Sequence, residues 1–349
     1  MLLVLAYLIA LSTNLIEATP FRGPRVMSER STKCMATYSW RQAYWTDNDT
    51  SFIDFFKTPQ AKEYNCGDVY LNIADASNEG HLLSPERLAD FLSQFREVSG
   101  NTATIYLFYA GGAPGYNDTV WALDFVRLFE EFNLHYTHPS LGPVAISFNV
   151  DLPLQAWMEI FDKTDEMKKT LHGYDVKVGA SLRTVNSNRR LVDTIMARSD
   201  HVTVTTFSNS AAGLYDKFKI FLNETCPNCN NDYYCNYKAK ITFLGEGDCT
   251  LPEDCSVVSM CAKFSACPDD PNGGILYAYN TMTKAFDEIR GGILPSYRFD
   301  HFFPAHETHI GLNYFEWVRC FYGYQTWIEA HLSECGSQYF PLSRKCNAQ

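Results

Sequence analysis

Positive charge is scarce in this chain of 349 residues: 29 Lys and Arg stand against 40 Asp and Glu, a net charge of −11. Nucleic acid and anionic membranes are bound through basic surfaces, so neither is expected as a partner. Long apolar runs are also missing. The run from Leu2 to Ala10 is too short to cross a bilayer, and no other stretch is apolar for long enough. There is no G-x-S-x-G elbow and no histidine pair at a predicted strand end, which removes the usual signs of a lipase or phosphodiesterase. No glycine-rich phosphate fingerprint follows the first predicted strand, so a dinucleotide-binding open sheet loses its main support. Nothing in the sequence asks for a cofactor or a metal.

What is present points out of the cytoplasm. The opening MLLVLAYLIALSTNLIEATP reads as a signal peptide over 1–18, with Ala18 just before the cleavage point, although the basic residues that usually precede the apolar run are missing. Twelve cysteines, an even number, suit disulfides in an oxidising compartment. Sequons at Asn48, Asn117 and Asn223 fit glycosylation. The expected product is a secreted, disulfide-bonded, monomeric glycoprotein.

Runs rich in β-branched and aromatic residues recur about every 26 to 41 residues, the length of one strand–helix unit: 35–40, 68–75, 102–112, 143–151, 176–183, 202–209, 239–246 and 274–280. Amphipathic helices are predicted between them. In SPERLADFLSQFREVSG, Pro85 suits a first turn, Leu88, Phe91, Leu92 and Phe95 share one face, and Gly100 stops the helix. DTVWALDFVRLFEEF repeats that pattern, and NSNRRLVDTIMA and SAAGLYDKFKIFL add two more. Largely apolar strands alternating with helices predict a (β/α)8 TIM barrel over 34–290.

Active sites on such barrels gather at the C-terminal ends of the strands. In VAISFNVDLP, the fourth run, Asn149 and Asp151 interrupt an apolar strand at that end. The same rule selects Trp40, Asp75, Tyr109, Arg183 and Asn209, followed by Glu246, Asp248 and Asn280. Any one of them could equally cap a helix or tie down a loop, and Asp151 shortly before Pro153 is an ordinary helix start.

Two additions decorate the predicted barrel. Seven cysteines crowd into 226–267. The C-x-x-C at Cys226 and Cys229 is a metal-ligand spacing, but the even spacing of Cys249, Cys255, Cys261 and Cys267 and the secretory start favour disulfides. An odd seven implies a bond to a distant cysteine. A C-terminal extension, 291–349, carries HFFPAHETH, whose His306 and His309 could share a helix face, and an aromatic helix that Cys320 and Cys335 could pin.

The N-terminal third resembles glycoside hydrolase family 18, the chitinases and chitinase-like lectins. Cys34 opens CMATYSW, Cys66 opens CGDVYLNIADA, and Gly111 and Gly112 close the third strand, each as in that family. The resemblance implies a Cys34–Cys66 disulfide. It departs from the family at the fourth strand, where the D-x-x-D-x-D-x-E motif falls on Ile146, Asn149, Asp151 and Pro153. Proline occupies the proton donor's position. The family's M-x-Y-D falls on Thr205, Phe207 and Ser208, without tyrosine or aspartate. A weaker similarity, to family 5 glycosidases, sets Glu246 of FLGEGD at the position of their nucleophile, while Val150 follows Asn149 where they carry the acid.

Two readings follow. In the first, a secreted glycosidase cuts a chitin- or β-glucan-type polysaccharide, with Asp151 as acid/base and Glu246 as nucleophile or stabiliser. Trp40, Tyr109 and Tyr279 supply sugar-stacking faces, and Asp75, Asn149, Arg183 and Asn209 bind hydroxyls. In the second, the barrel binds polysaccharide or oligosaccharide as a lectin without chemistry.

Overall fold

The computed structural model describes residues 36–40, 42–57, 68–99, 104–112, 117–142, 144–183, 188–208, 210–225, 239–246, 280, 283–285 and 305–308. All twelve cysteines lie outside them, as does the expected disulfide-rich insertion, 226–267, apart from 239–246. Eight parallel strands close into a barrel in sequence order. They are β1 (Ala36–Ser39), β2 (Val69–Asp75), β3 (Ile105–Ala110), β4 (Val144–Asn149), β5 (Lys177–Arg183), β6 (His201–Thr205), β7 (Lys240–Glu246) and β8 (Ala305–Thr308).

Helices connect them: α1 (Ala43–Thr46) and α2 (Ser51–Phe56) after β1, α3 (Pro85–Ser99) after β2, α4 (Asp118–Tyr136) after β3, α5 (Leu154–Thr170) after β4, α6 (Arg189–Arg198) after β5 and α7 (Ala211–Thr225) after β6. The expected amphipathic faces are the buried ones. Leu88, Phe91, Leu92 and Phe95 of α3 are inaccessible or nearly so, as are Phe125, Phe129 and Phe132 of α4. Burying such side chains is the main favourable term holding the outer ring to the sheet.

The closing strand differs from expectation. Residues 274–279, read above as the eighth strand, lie outside the described residues, and Asn280 is helical. β8 is instead AHET, pairing with β1 through Tyr38–Glu307 and with β7 through Glu246–Glu307. The barrel therefore runs past the expected boundary at 290 into the segment assigned to the C-terminal extension. It also places His306 in a strand, not on a helix face. Four residues, three of them with polar side chains, carry little strand signal; closure of the ring, not local propensity, makes them a strand.

Side chains alternate across each strand, so the barrel has two cores. The outer one lies between strands and helices. The inner one holds Tyr38, Tyr70, Tyr106, Phe108 and Leu244, with Trp40 and Phe207 packed above. Low in this interior Tyr70 stacks on Tyr38 and Tyr106, at centroid distances of 4.3 and 4.6 Å. Buried aromatic hydroxyls need partners. Tyr38 Oη lies 3.1 Å from Thr203 Oγ1 and 3.2 Å from Ser181 Oγ, and the Tyr70 hydroxyl meets Nδ1 of His201. Burial, with Asp68 and Asp200 nearby, pushes the Tyr106 hydroxyl well above its ordinary pKa, so it stays protonated.

One glycine makes room for this stack. A Cβ at Gly179 would lie 2.7 Å from Ser147 Oγ and 3.1 Å from the Tyr106 ring. Gly179→Ala is expected to destabilise the fold by about 1–3 kcal/mol through overpacking. Denaturant unfolding checks it: an unchanged midpoint would mean that Ser147 and Tyr106 yield without cost.

Asp68, at the N-terminal end of the barrel, carries a pH dependence. Burial raises its carboxyl above the ordinary value, outweighing the Thr104 N–H, Lys240 and Arg96, which all favour the charged form. The native state then holds the proton more tightly than the unfolded chain does. Stability contributed at this site declines as pH rises from the ordinary carboxylate pKa through the raised one. Asp68→Asn should therefore gain stability over the parent at neutral pH and lose that advantage in acid. Thermal melts at both pH values test this, and a parent more stable at neutral pH would show that the Arg96 charge outweighs burial.

Candidate active site at the barrel mouth

The inner-face alternation carries upward to the C-terminal rim and selects which strand ends meet there. Trp40 follows β1 on the face of Tyr38, and its ring stands edge-on to Phe108 at 5.1 Å, half-buried. Beneath the rim, Phe108 is fully buried and Ala110 nearly so, which gives the mouth an apolar floor. Asn149 ends β4 beside Ala110, partly exposed. Position 183 pairs with Thr205, and position 246 shares the alternation of Thr242 and Leu244. By strand register, positions 40, 149, 183 and 246 thus fall on the inner-face alternation at the rim.

Asp151 lies two residues beyond β4, exposed, in the turn leading to α5. That helix begins from Pro153 with no side-chain cap hydrogen bond. The preceding Val150 is buried against Gly111, where a Cβ would come within 2.4 Å of its Cγ2. This close approach of the β3 and β4 exits fixes where the Asp151 turn leaves the rim.

Two expected residues have other work. Tyr109 presents no sugar-stacking face: its ring is fully buried in the outer core, 6.0 Å from Phe125. It sits one residue out of phase with Phe108 and Ala110, so the pleat turns it toward α4. Its hydroxyl donates to Asp118 Oδ1 at 2.6 Å, and Asp118 also accepts from Gly112 N. Burial and that carboxylate raise the Tyr109 hydroxyl far above its usual range.

Asp75 is a clamp and not a hydroxyl-binding group. A bulge between Asn72 and Ala74 brings it into register with Ala110. Its Oδ1 accepts from Ser77 N, Ser77 Oγ and Asn78 N, capping the 3-10 turn Ala76–Asn78. Its Oδ2 accepts from Gln42 Nε2 at 3.1 Å and Asn72 Nδ2 at 3.2 Å. With both oxygens so occupied, Asp75 ties the loops after β1 and β2 together beneath the rim. Asn72 also donates to the Trp40 carbonyl at 3.3 Å, which steadies the backbone carrying that ring.

Asn209, Asp248 and Tyr279 lie outside the described residues, and Asn280 is exposed. Three participants escaped sequence reasoning. Phe207 packs above the inner core from the end of β6, and Asn72 anchors the Trp40 segment. Glu307 pairs with Glu246 in the β7–β8 register. The signal for Glu307 was a carboxylate in a short run between His306 and Thr308, legible only once that run is known to close the barrel.

No protein-family model matches the chain, and no curated protein does. Solved structures do. A family 18 chitinase from Flavobacterium johnsoniae is 15% identical, with 79% of this chain and 87% of that chain covered and a TM-score of 0.41. A family 113 β-1,4-mannanase is 10% identical over 80% of this chain and 89% of its own, at a TM-score of 0.46. The tryptophan synthase α-subunit of Pyrococcus furiosus is 12% identical over 90% of this chain and 96% of its own, at 0.41.

Proposed function

We propose that this chain is a secreted carbohydrate-active barrel that hydrolyses a chitin- or β-glucan-type polysaccharide with two carboxylates, Asp151 and Glu246. The observation that carries this reading is the make-up of the mouth: a half-buried Trp40 on an apolar Phe108 floor, ringed by polar strand-end positions. A pyranose offers one apolar C–H face and a rim of hydroxyls, and such a mouth complements both. Asp151, exposed where β4 leaves the barrel, would protonate the leaving oxygen. Glu246, at the end of β7, would act as nucleophile or as stabiliser of the oxocarbenium-like transition state. A separation of about 5 Å between the two carboxyl groups would give retention, and a wider gap inversion. The cysteine-rich segment 226–267 would staple loops beside the mouth, and the residues after β8 would form a short disulfide-bonded extension.

A second reading, a lectin of the chitinase-like kind, draws on specific residues. Pro153 stands where the resembling family keeps its proton donor, and Asp75 is spent on loop hydrogen bonds. The test is reducing-end release from chitin oligomers and β-glucans by the secreted protein. Turnover supports the glycosidase. Binding without turnover supports the lectin, and absence of both overturns the carbohydrate reading altogether. In either reading Trp40→Ala should weaken oligosaccharide binding by about 2 kcal/mol, roughly 30-fold; calorimetry with unchanged affinity would remove Trp40 from the site.

A further inference from the structure

At the other end of the barrel, α3 and the last turn of α4 enclose a groove of about 410 Å³. Helices run back against the strands, so this groove lies by the strands' N-terminal ends, away from the mouth. Its polar lining is Ser93 and Arg96 from α3, His135 and Tyr136 from α4, and Thr137 and His138 just beyond. That is one guanidinium, two imidazoles and three hydroxyls, with no carboxylate among the lining residues.

The groove is also built to hold these groups. The Arg96 guanidinium lies against Gly142, whose φ is +90° and where a Cβ would be 3.6 Å from Nη2. Gly142 follows the short turn Pro139–Leu141, which packs on α3 and brings the His138 segment alongside Arg96. The C-terminus of a helix ordinarily repels anions through its bare carbonyls. Here Asn133 O accepts from Tyr174 Oη at 2.8 Å and Thr137 Oγ1 at 3.1 Å, and Thr137 O accepts from Tyr174 at 3.2 Å. Hydroxyl donors thus cover one carbonyl in the last turn of α4 and the one just beyond it. Two carboxylates act on lining residues: Glu86 on the Tyr136 hydroxyl, and Asp68 on Arg96. Burial drags the Arg96 guanidinium down to about 10, and only Asp68 opposes that shift. A bound anion would add to Asp68 in favouring the charged form.

We infer that this groove binds a small oxyanion, a phosphate, sulfate or carboxylate group, at its Arg96–His138 end. A guanidinium fork matches the paired oxygens of all three groups, and the imidazoles can donate to the rest. The volume exceeds what a bare ion needs, which leaves room for an anion carried on one sugar ring.

The test uses the full secreted chain, titrated with inorganic phosphate, sulfate or glucuronate and compared with sodium chloride at matched ionic strength. Saturable calorimetric binding and a rise in melting temperature are expected with at least one oxyanion and not with chloride. Tighter binding of glucuronate than of the inorganic ions would identify a sugar acid as the ligand; the reverse would identify the free ion. Ser93→Glu, an exposed change that sets a carboxylate in the groove, should weaken binding about tenfold or more while leaving the fold intact. Arg96→Gln should do the same. Non-saturable shifts equal to those of chloride would overturn the proposal, as would unchanged affinity in Ser93→Glu.

Discussion

Glu246→Gln is expected to lower hydrolysis of the responsive polysaccharide by about two to four orders of magnitude, with substrate affinity little changed. The substitution keeps the size and hydrogen-bonding reach of the side chain and removes only its charge. A pure loss of kcat therefore isolates nucleophilic or electrostatic work. Asp151→Asn should match it if the two carboxylates act as a pair. Glu307→Gln is the informative neighbour, because Glu307 is the register partner of Glu246 on the adjacent strand. Should Glu307→Gln abolish turnover while Asp151→Asn keeps it, the second carboxylate is on β8 and the role of Asp151 is withdrawn. Full activity in Glu246→Gln would end the two-carboxylate mechanism as stated.

The largest stability effect is expected inside the barrel, at His201. It is 1% exposed, its Nε2 lies 2.6 Å from Thr242 Oγ1, its Nδ1 meets the Tyr70 hydroxyl, and its ring lies 5.0 Å from that of Tyr106. His201→Ala would open a cavity and leave two buried hydroxyls short of a partner. Cavity formation on removing a ring and the desolvation of those hydroxyls together suggest a loss of about 3–5 kcal/mol. His201→Gln retains a hydrogen-bonding head and should cost less. Chemical unfolding of the two variants separates the terms: equal losses would assign the effect to the ring, and a loss below about 1 kcal/mol in His201→Ala would show that the network is not cooperative.

Strand-end residues were legible wherever a strand declared itself through its own composition. Asn149 closes an apolar run, and Trp40 closes an aromatic one, so their placing at the rim followed from periodicity and the barrel rule alone. Tyr109 was misread because a strand end has two faces and the sequence shows no more than their alternation. Which phase points inward became plain from the partners: Phe125 on one side, Trp40 against Phe108 on the other. Asp75 was misread for a different reason. A carboxylate free to bind a hydroxyl and one saturated by Ser77, Asn78, Gln42 and Asn72 are the same letter in a sequence.

Taken by itself, the sequence determined the alternation of strands and helices, the faces the helices bury and the deficit of positive charge. These depend on spacing and residue type within one segment, which local patterns record. Tertiary structure alone decided that AHET closes the ring, that Glu307 stands beside Glu246, and that Arg96 meets the His138 segment across a turn. Each of those joins residues distant in the chain. Their proximity comes from barrel closure and helix packing, whose geometry is a property of the whole ring and is written in no single stretch of it.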